Sequence, residues 1–78
     1  MIIIKATLKE WRLDDENGSV TGVIYNSTDP KEYPEGAQFT IMKVSLNQYG
    51  ASEMFGEEHY IAETQLGNFF RLNASDMR

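Results

Sequence analysis

Alternating apolar and polar positions predict β-strands along most of this chain. From Ile2 to Leu8 every second residue is apolar, and the residues between them are mainly polar. Because successive side chains of a strand point to opposite faces, this pattern is typical of a strand with one buried face. The apolar phase shifts at Trp11, which indicates a β-bulge or bend near Lys9-Glu10.

A tight turn is predicted after this first strand. Glu16-Asn17-Gly18-Ser19 lies between two alternating runs, and an Asn-Gly pair suits the two positive-φ positions of a type I′ turn. The sequence therefore predicts an antiparallel hairpin whose second strand covers residues 19–26. Gly22 in the middle of that strand predicts a sharp bend or the close approach of another backbone.

Three further strands are expected, separated by two long connections. The strands are predicted at residues 37–45, 58–65 and 69–73, with a tight turn at Leu66-Gly67-Asn68. One connection, residues 27–36, contains both prolines, and the other, residues 46–57, is broken by glycines.

These elements define the expected fold. We expect a single all-β domain over residues 1–73, folded as a small five-stranded antiparallel, partly open barrel of the SH3-like or OB-like type. The tail, residues 74–78, has no apolar pattern and is expected to fray.

Length, composition and charge narrow the class of protein. Seventy-eight residues make one domain with a small core, for which association with further copies is a natural source of burial. The absence of cysteine removes disulfides, thiol catalysis and thiolate metal sites. No apolar run approaches the roughly 20 residues of a membrane helix, and no secretory signal is recognisable, so a cytoplasmic location is expected. The net charge of −5 repels nucleic acid and favours either a basic partner or simple solubility.

Candidate catalytic and metal-binding groups are sparse. His59 is the only histidine, and its sequence neighbours Glu57 and Glu58 point to opposite faces of a strand. The acidic turn before Gly18 has the wrong spacing for a calcium loop. With no phosphate loop and no nucleophile motif, we expect neither an enzyme nor a cofactor or metal site.

The two long connections hold the candidate partner-binding side chains. Aromatic and methionine side chains concentrate at recognition surfaces because they bury much area at modest entropic cost. Their acidic neighbours favour a partner with a basic surface. The candidates are Tyr33, Glu35, Tyr49, Glu53, Met54, Phe55, Glu57 and Glu58. Packing of the aromatic side chains against the open barrel ends is the alternative, and it is the commoner role in so small a chain.

Two other kinds of binding protein remain open. A homo-oligomer that holds a nucleotide signal between subunits needs basic groups at a shared cleft, and Lys5, Lys43 and Arg71 are the candidates. The second is a small barrel that binds single-stranded nucleic acid through these three residues and Lys9. The net negative charge argues against it.

Several turn and core signals resemble small β proteins of phages and prophages. The matching segments include Gly18-Ser19-Val20-x-Gly22, Tyr33-Pro34-Glu35-Gly36 and Thr64-x-x-Gly67-x-Phe69. The chain departs from that pattern in its longer 46–57 segment and in Gln65-Leu66. The resemblance implies a small accessory phage protein that binds and modulates or inhibits a host factor, for example a defence system such as CRISPR. It carries over no site residue.

Overall fold

The computed structural model describes residues 3–49 and 58–78, which form one mixed β-sheet of six strands. The strands are β1 (Ile4–Asp14), β2 (Ser19–Tyr25), β3 (Gln38–Ile41), β4 (Ser45–Tyr49), β5 (His59–Glu63) and β6 (Phe69–Asn73). Their order across the sheet is β3-β2-β1-β6-β5-β4. The expected all-β fold is confirmed, but the expected five-stranded antiparallel barrel is wrong.

The sheet consists of two three-stranded meanders that lie side by side. One meander contains β1 to β3 and the other contains β4 to β6, and all strand pairs within them are antiparallel. The meanders meet where β1 pairs in parallel with β6, from Ile4↔Phe69 to Leu8↔Leu72. This central parallel pair is what makes the sheet mixed.

The sixth strand, β4, comes from a segment that the sequence predicts as a connection. It pairs with β5 from Ser45↔Glu63 to Tyr49↔His59. Of the first three residues of this strand, only Leu46 is large and apolar, and it packs against the core. One apolar residue is too weak a pattern to indicate a strand, so the pairing with β5 decides its conformation.

The two edges of the sheet come close to each other at one end. β3 and β4 are the edge strands, yet only Met42, Lys43 and Val44 separate them in the chain. Because an extended chain covers at most about 3.6 Å per residue, the sheet has to curl until these edges are near. The amide of Val44 donates to the carbonyl of Gly18 (2.9 Å) and fixes the connection. β3 and β4 are not hydrogen-bonded neighbours, so the curled sheet stays open along a seam between them.

The bulge predicted in β1 is present. The register of β1 with β2 shifts between Lys9 and Arg12, where Glu10 takes a φ of 49°. Gly22 lies opposite this shift, and a Cβ built there would be 3.0 Å from the Lys9 carbonyl oxygen. The predicted close backbone approach at Gly22 is therefore confirmed. The shift also turns Trp11 into the core, where it is 1% exposed.

The first hairpin is present, but its turn is not of type I′. Asp14 pairs with Ser19, so the loop holds four residues, and among them only Gly18 has a positive φ (61°). The Asp14 carboxylate accepts hydrogen bonds from the Glu16 amide (3.1 Å) and from Asn17 Nδ2 (3.0 Å). This capping lets Asn17 keep an ordinary φ, which explains why the two-residue turn prediction is wrong.

The core lies on the inner face of the curled sheet. Its largest fully buried side chains are Trp11, Phe70, Leu8, Ile24, Leu72 and Val20. The C-terminal residues include a 3-10 turn at Ala74–Asp76 beside Trp11, and their expected fraying stays a prediction. The indole Nε1 of Trp11 donates to the Asn73 carbonyl (2.8 Å), and the Arg78 amide donates to the Trp11 carbonyl (2.7 Å).

Candidate binding cleft at the seam of the sheet

A cleft of about 390 Å³ opens at the seam. Edge strand β3 forms one wall, the turn between β5 and β6 forms the other, and the 27–36 connection closes one end. The lining residues are Glu32, Tyr33, Phe39, Thr40, Ile41, Met42, Thr64, Gln65, Leu66, Asn68 and Phe70. We call this space the seam cleft.

Three aromatic rings form the floor of the seam cleft. The ring centroids of Tyr33 lie 5.3 Å from those of Phe39 and of Phe70, with interplanar angles of 82° and 83°. Such edge-to-face contacts contribute about 0.5–1.5 kcal/mol each beyond area burial. Tyr33 and Phe70 are 4% and 1% exposed, so both are held in the core. The floor is therefore apolar and preformed.

Two large apolar side chains stand exposed on the walls of the cleft. Met42, just after β3, is 57% exposed, and Leu66, in the facing turn, is 90% exposed. Hydrogen bonds from the Gly67 amide to the Thr64 carbonyl (3.0 Å) and from the Asn68 amide to Thr64 Oγ1 (3.0 Å) hold the turn. Leu66 is thus presented by an ordered turn. Exposed apolar groups that line one cleft mark interaction surfaces more often than apolar residues scattered singly over a surface do.

The one charged residue of the lining is Glu32. The pKa of the neighbouring Tyr33 hydroxyl lies above its ordinary value of 10.0, mainly because it is buried. The negative charge of Glu32, a hydrogen bond to its carboxylate and the charge of Asp29 raise this pKa further. Tyr33 therefore stays neutral and anchors the end of the cleft.

The raised pKa of Tyr33 predicts a loss of stability in alkali. Above about pH 10 the unfolded chain releases this proton before the folded chain does, so the free energy of unfolding should fall as the pH rises. Urea unfolding of the protein and of Tyr33→Phe, followed across this range, measures the effect. The decline should be smaller in Tyr33→Phe and unchanged in the more exposed control Tyr25→Phe. Equal declines in all three proteins would contradict the prediction.

The residues predicted to bind a partner fall into four groups. Tyr33 belongs to the floor of the seam cleft, which corresponds to the packing alternative. The exposed Glu35 accepts hydrogen bonds from the amides of Asn26 and Ser27 and thereby orders the start of the 27–36 connection. Tyr49 ends β4, where it pairs with the first residue of β5, and Glu58 is exposed just before β5. The remaining predicted residues, Glu53, Met54, Phe55 and Glu57, lie outside the described residues.

The structure does not bring the three predicted ligand-binding cations together within one subunit. Lys5 in β1 and Arg71 in β6 lie on adjacent strands near the centre of the sheet. Lys43 lies in the connection between β3 and β4, beside Gly18, at the opposite end of β1 from Lys5. A phosphate group cannot contact all three in a single subunit.

Sequence reasoning missed the walls of the seam cleft. The alternating pattern at Phe39 and Phe70 is typical of ordinary core residues. Nothing in the sequence shows that β3 faces the β5–β6 turn. The exposure of Leu66 could have been predicted, because a large apolar residue at the tip of a polar turn lies too far from the core to be buried.

Comparison with protein-family models, curated proteins and solved structures finds no match to this chain. The resemblance to phage β proteins therefore stays a prediction. Within residues 3–49 and 58–78 no group of three or more possible metal ligands occurs. The same ranges contain no helix of sufficient length and apolarity to cross a membrane. What the fold and the cleft define is a class: a small all-β domain built on one open, curled sheet.

Proposed function

We propose that this protein is a non-enzymatic binding protein that holds an apolar anchor of a partner protein in the seam cleft. The observation that carries the proposal is the pair of exposed side chains, Met42 and Leu66, on the walls above an aromatic floor. Exposing both costs free energy in the free protein, and an apolar partner group would cover them. The resemblance to phage β proteins supports a host factor, such as a component of a defence system, as the partner.

The chemistry of the cleft indicates what kind of group it accepts. Its volume of about 390 Å³ lies near the lower end of the range of ligand pockets and suits one or two large side chains rather than a cofactor. Most of the floor is already packed, so binding requires little ordering of the protein.

Charge favours a basic segment around the anchor. Glu32 lines the cleft, and Asp29 and Glu35 lie in the same connection, which has Lys31 as its single basic residue. Opposite charge at the rim of an interface speeds encounter and discourages acidic competitors. We therefore expect an aromatic, leucine or methionine side chain flanked by arginine or lysine.

Selection from a displayed library of random peptides tests this function. Peptides bound by the protein should be enriched in an apolar anchor next to basic residues. Leu66→Asp should weaken the selected peptides by about 30-fold, because loss of a central apolar contact costs about 2 kcal/mol or more. Titration calorimetry with one selected peptide measures the change.

The control is Ile3→Asp, which places the same charge on another exposed apolar side chain (62% exposed, compared with 90% for Leu66) that does not line the cleft. The affinity of the Ile3→Asp variant for the peptide should stay within about twofold of that of the wild type, because substitutions at the rim of an interface or outside it usually have small effects. Selection of acidic peptides, or equal losses in both variants, would contradict the proposal.

A further inference from the structure

Four of the seven lysine and arginine residues belong to the two central strands. On β1, Lys9 follows the buried Leu8, pairs with Val23 and points away from the core, to the outer face of the sheet. Lys5 lies on the same strand, where the register with β6 shifts between Ile4 and Ala6. On β6, Arg71 lies between the buried Phe70 and Leu72 and also points outward.

The bulge in β1 keeps a further cation on this outer face. After the register shift, Arg12 pairs with Thr21 and is exposed, whereas Trp11 is buried. Without the extra residue, Trp11 and Arg12 would exchange faces. We call Lys5, Lys9, Arg12 and Arg71 the basic stripe.

The ion pair between Arg78 and Glu10 involves none of the four cations of the basic stripe. Lys9 Nζ lies 4.7 Å from the centroid of the Tyr25 ring, and Arg71 Nε donates to Asn73 Oδ1 at 2.8 Å. These partners are uncharged, so they position the two side chains and leave their positive charge available.

An exposed aromatic ring lies beside the basic stripe. Tyr25 is 38% exposed and pairs across the sheet with Thr7, which in turn pairs with Arg71. The three side chains form a row across β2, β1 and β6. A positively charged track beside an exposed ring is the combination by which proteins bind the backbone and stack the bases of single strands.

We propose that the basic stripe binds single-stranded nucleic acid. Seven residue steps separate Lys5 from Arg12, which corresponds to about 23 Å of strand. A mononucleotide would reach only one or two of these groups, whereas an extended strand can contact all of them.

The net charge of −5 does not oppose this binding as strongly as the sequence suggests. Several acidic groups lie in the turn at 14–16 and in the 27–36 connection, away from the outward positions of β1. Glu10, at the bulge between Lys9 and Arg12, is an exposed carboxylate that forms an ion pair with Arg78. Glu63, next to Phe69, is the carboxylate on the outer side of β5. Because salt screens charges beyond about 8–10 Å, a bound phosphate responds mainly to the nearest groups.

Fluorescence anisotropy with labelled oligo(dT) and oligo(U) of about 15 nucleotides tests the proposal. Binding should be measurable near 50 mM salt and weaken at 200 mM, with a log–log slope of about −2 to −3 for three to four phosphate contacts. Absence of binding at the lower salt concentration overturns it. Displacement of the oligonucleotide by an equal concentration of nucleoside monophosphate overturns it as well.

Charge reversals test the location. Lys9→Glu and Arg71→Glu should each weaken binding about tenfold. Lys31→Glu makes the same change in net charge outside the stripe and should alter binding by less than about twofold. Equal losses in all three variants would show that net charge, not the stripe, controls binding. Circular dichroism confirms that each variant is folded. Leu66→Asp should not affect the oligonucleotide, so failure of the cleft proposal and failure of this one are distinguishable.

Discussion

Trp11→Ala is expected to lower the free energy of unfolding by about 3–5 kcal/mol. The indole is 1% exposed and meets the Tyr60 ring edge-to-face at a centroid distance of 5.6 Å. Its removal leaves a large cavity and deprives the Asn73 carbonyl of its donor. At about 0.05–0.15 kcal/mol per residue, a chain of this size has a total stability comparable to that loss. Much of the variant should therefore be unfolded at room temperature.

Far-ultraviolet circular dichroism during urea unfolding measures this effect, because the variant lacks the only tryptophan of the chain. Trp11→Phe is the informative second variant. It fills most of the space but lacks the donor, so its loss should be about 1–3 kcal/mol. Leu66→Ala, at a residue 90% exposed, should change stability by less than about 0.5 kcal/mol. A loss below about 1 kcal/mol in Trp11→Ala would show that Trp11 is not a core residue.

Gly22→Ala is expected to destabilise the protein by about 2–3 kcal/mol, although alanine usually suits a strand better than glycine does. The added methyl group would lie 3.0 Å from the Lys9 carbonyl oxygen and 3.0 Å from the Cβ atoms of Leu8 and Trp11. All three are backbone or backbone-attached atoms, so none of them can move without moving β1. The bulge and the glycine therefore depend on each other.

Gly36→Ala is the matched control for this substitution. Gly36 has a φ of 78° and nothing within 4 Å of an added Cβ, so its cost is backbone strain alone, about 1–2 kcal/mol. Asparagine tolerates that conformation, so Gly36→Asn should recover part of the loss, whereas Gly22→Asn should be worse than Gly22→Ala. The urea concentrations at the unfolding midpoints of the four variants measure these differences in stability. Stabilisation by Gly22→Ala would contradict the close approach.

The two proposed binding surfaces follow from the same architecture. A sheet of six strands that curls without closing has an inner face for the core, an outer face and a seam. The proposed cleft and the proposed basic stripe lie on different surfaces, so the two proposals do not exclude each other. A protein partner in the cleft would leave Lys9 and Arg71 accessible.

Local patterns predicted much of this protein. The alternation of residues 2–8, the phase shift at Trp11 and the position of Gly22 were enough to indicate β1, its bulge and its close contact with β2. These predictions succeed because strand periodicity and turn chemistry act over a few residues. The turn at Asn17-Gly18 was misjudged because the Asp14 carboxylate supplies hydrogen bonds that the Asn-Gly pair alone does not reveal.

The sequence by itself determined an all-β chain and five of its six strands, whose buried faces follow from side chains two positions apart. Only the tertiary structure decided how the meanders join. The parallel pairing of β1 with β6 unites residues more than 60 positions apart, and no local preference encodes such a contact. The same pairing places Arg71 beside the cations of β1, and the curl of the sheet places Met42 opposite Leu66. Both candidate surfaces depend on long-range packing, because charge and exposure are properties of neighbours in space.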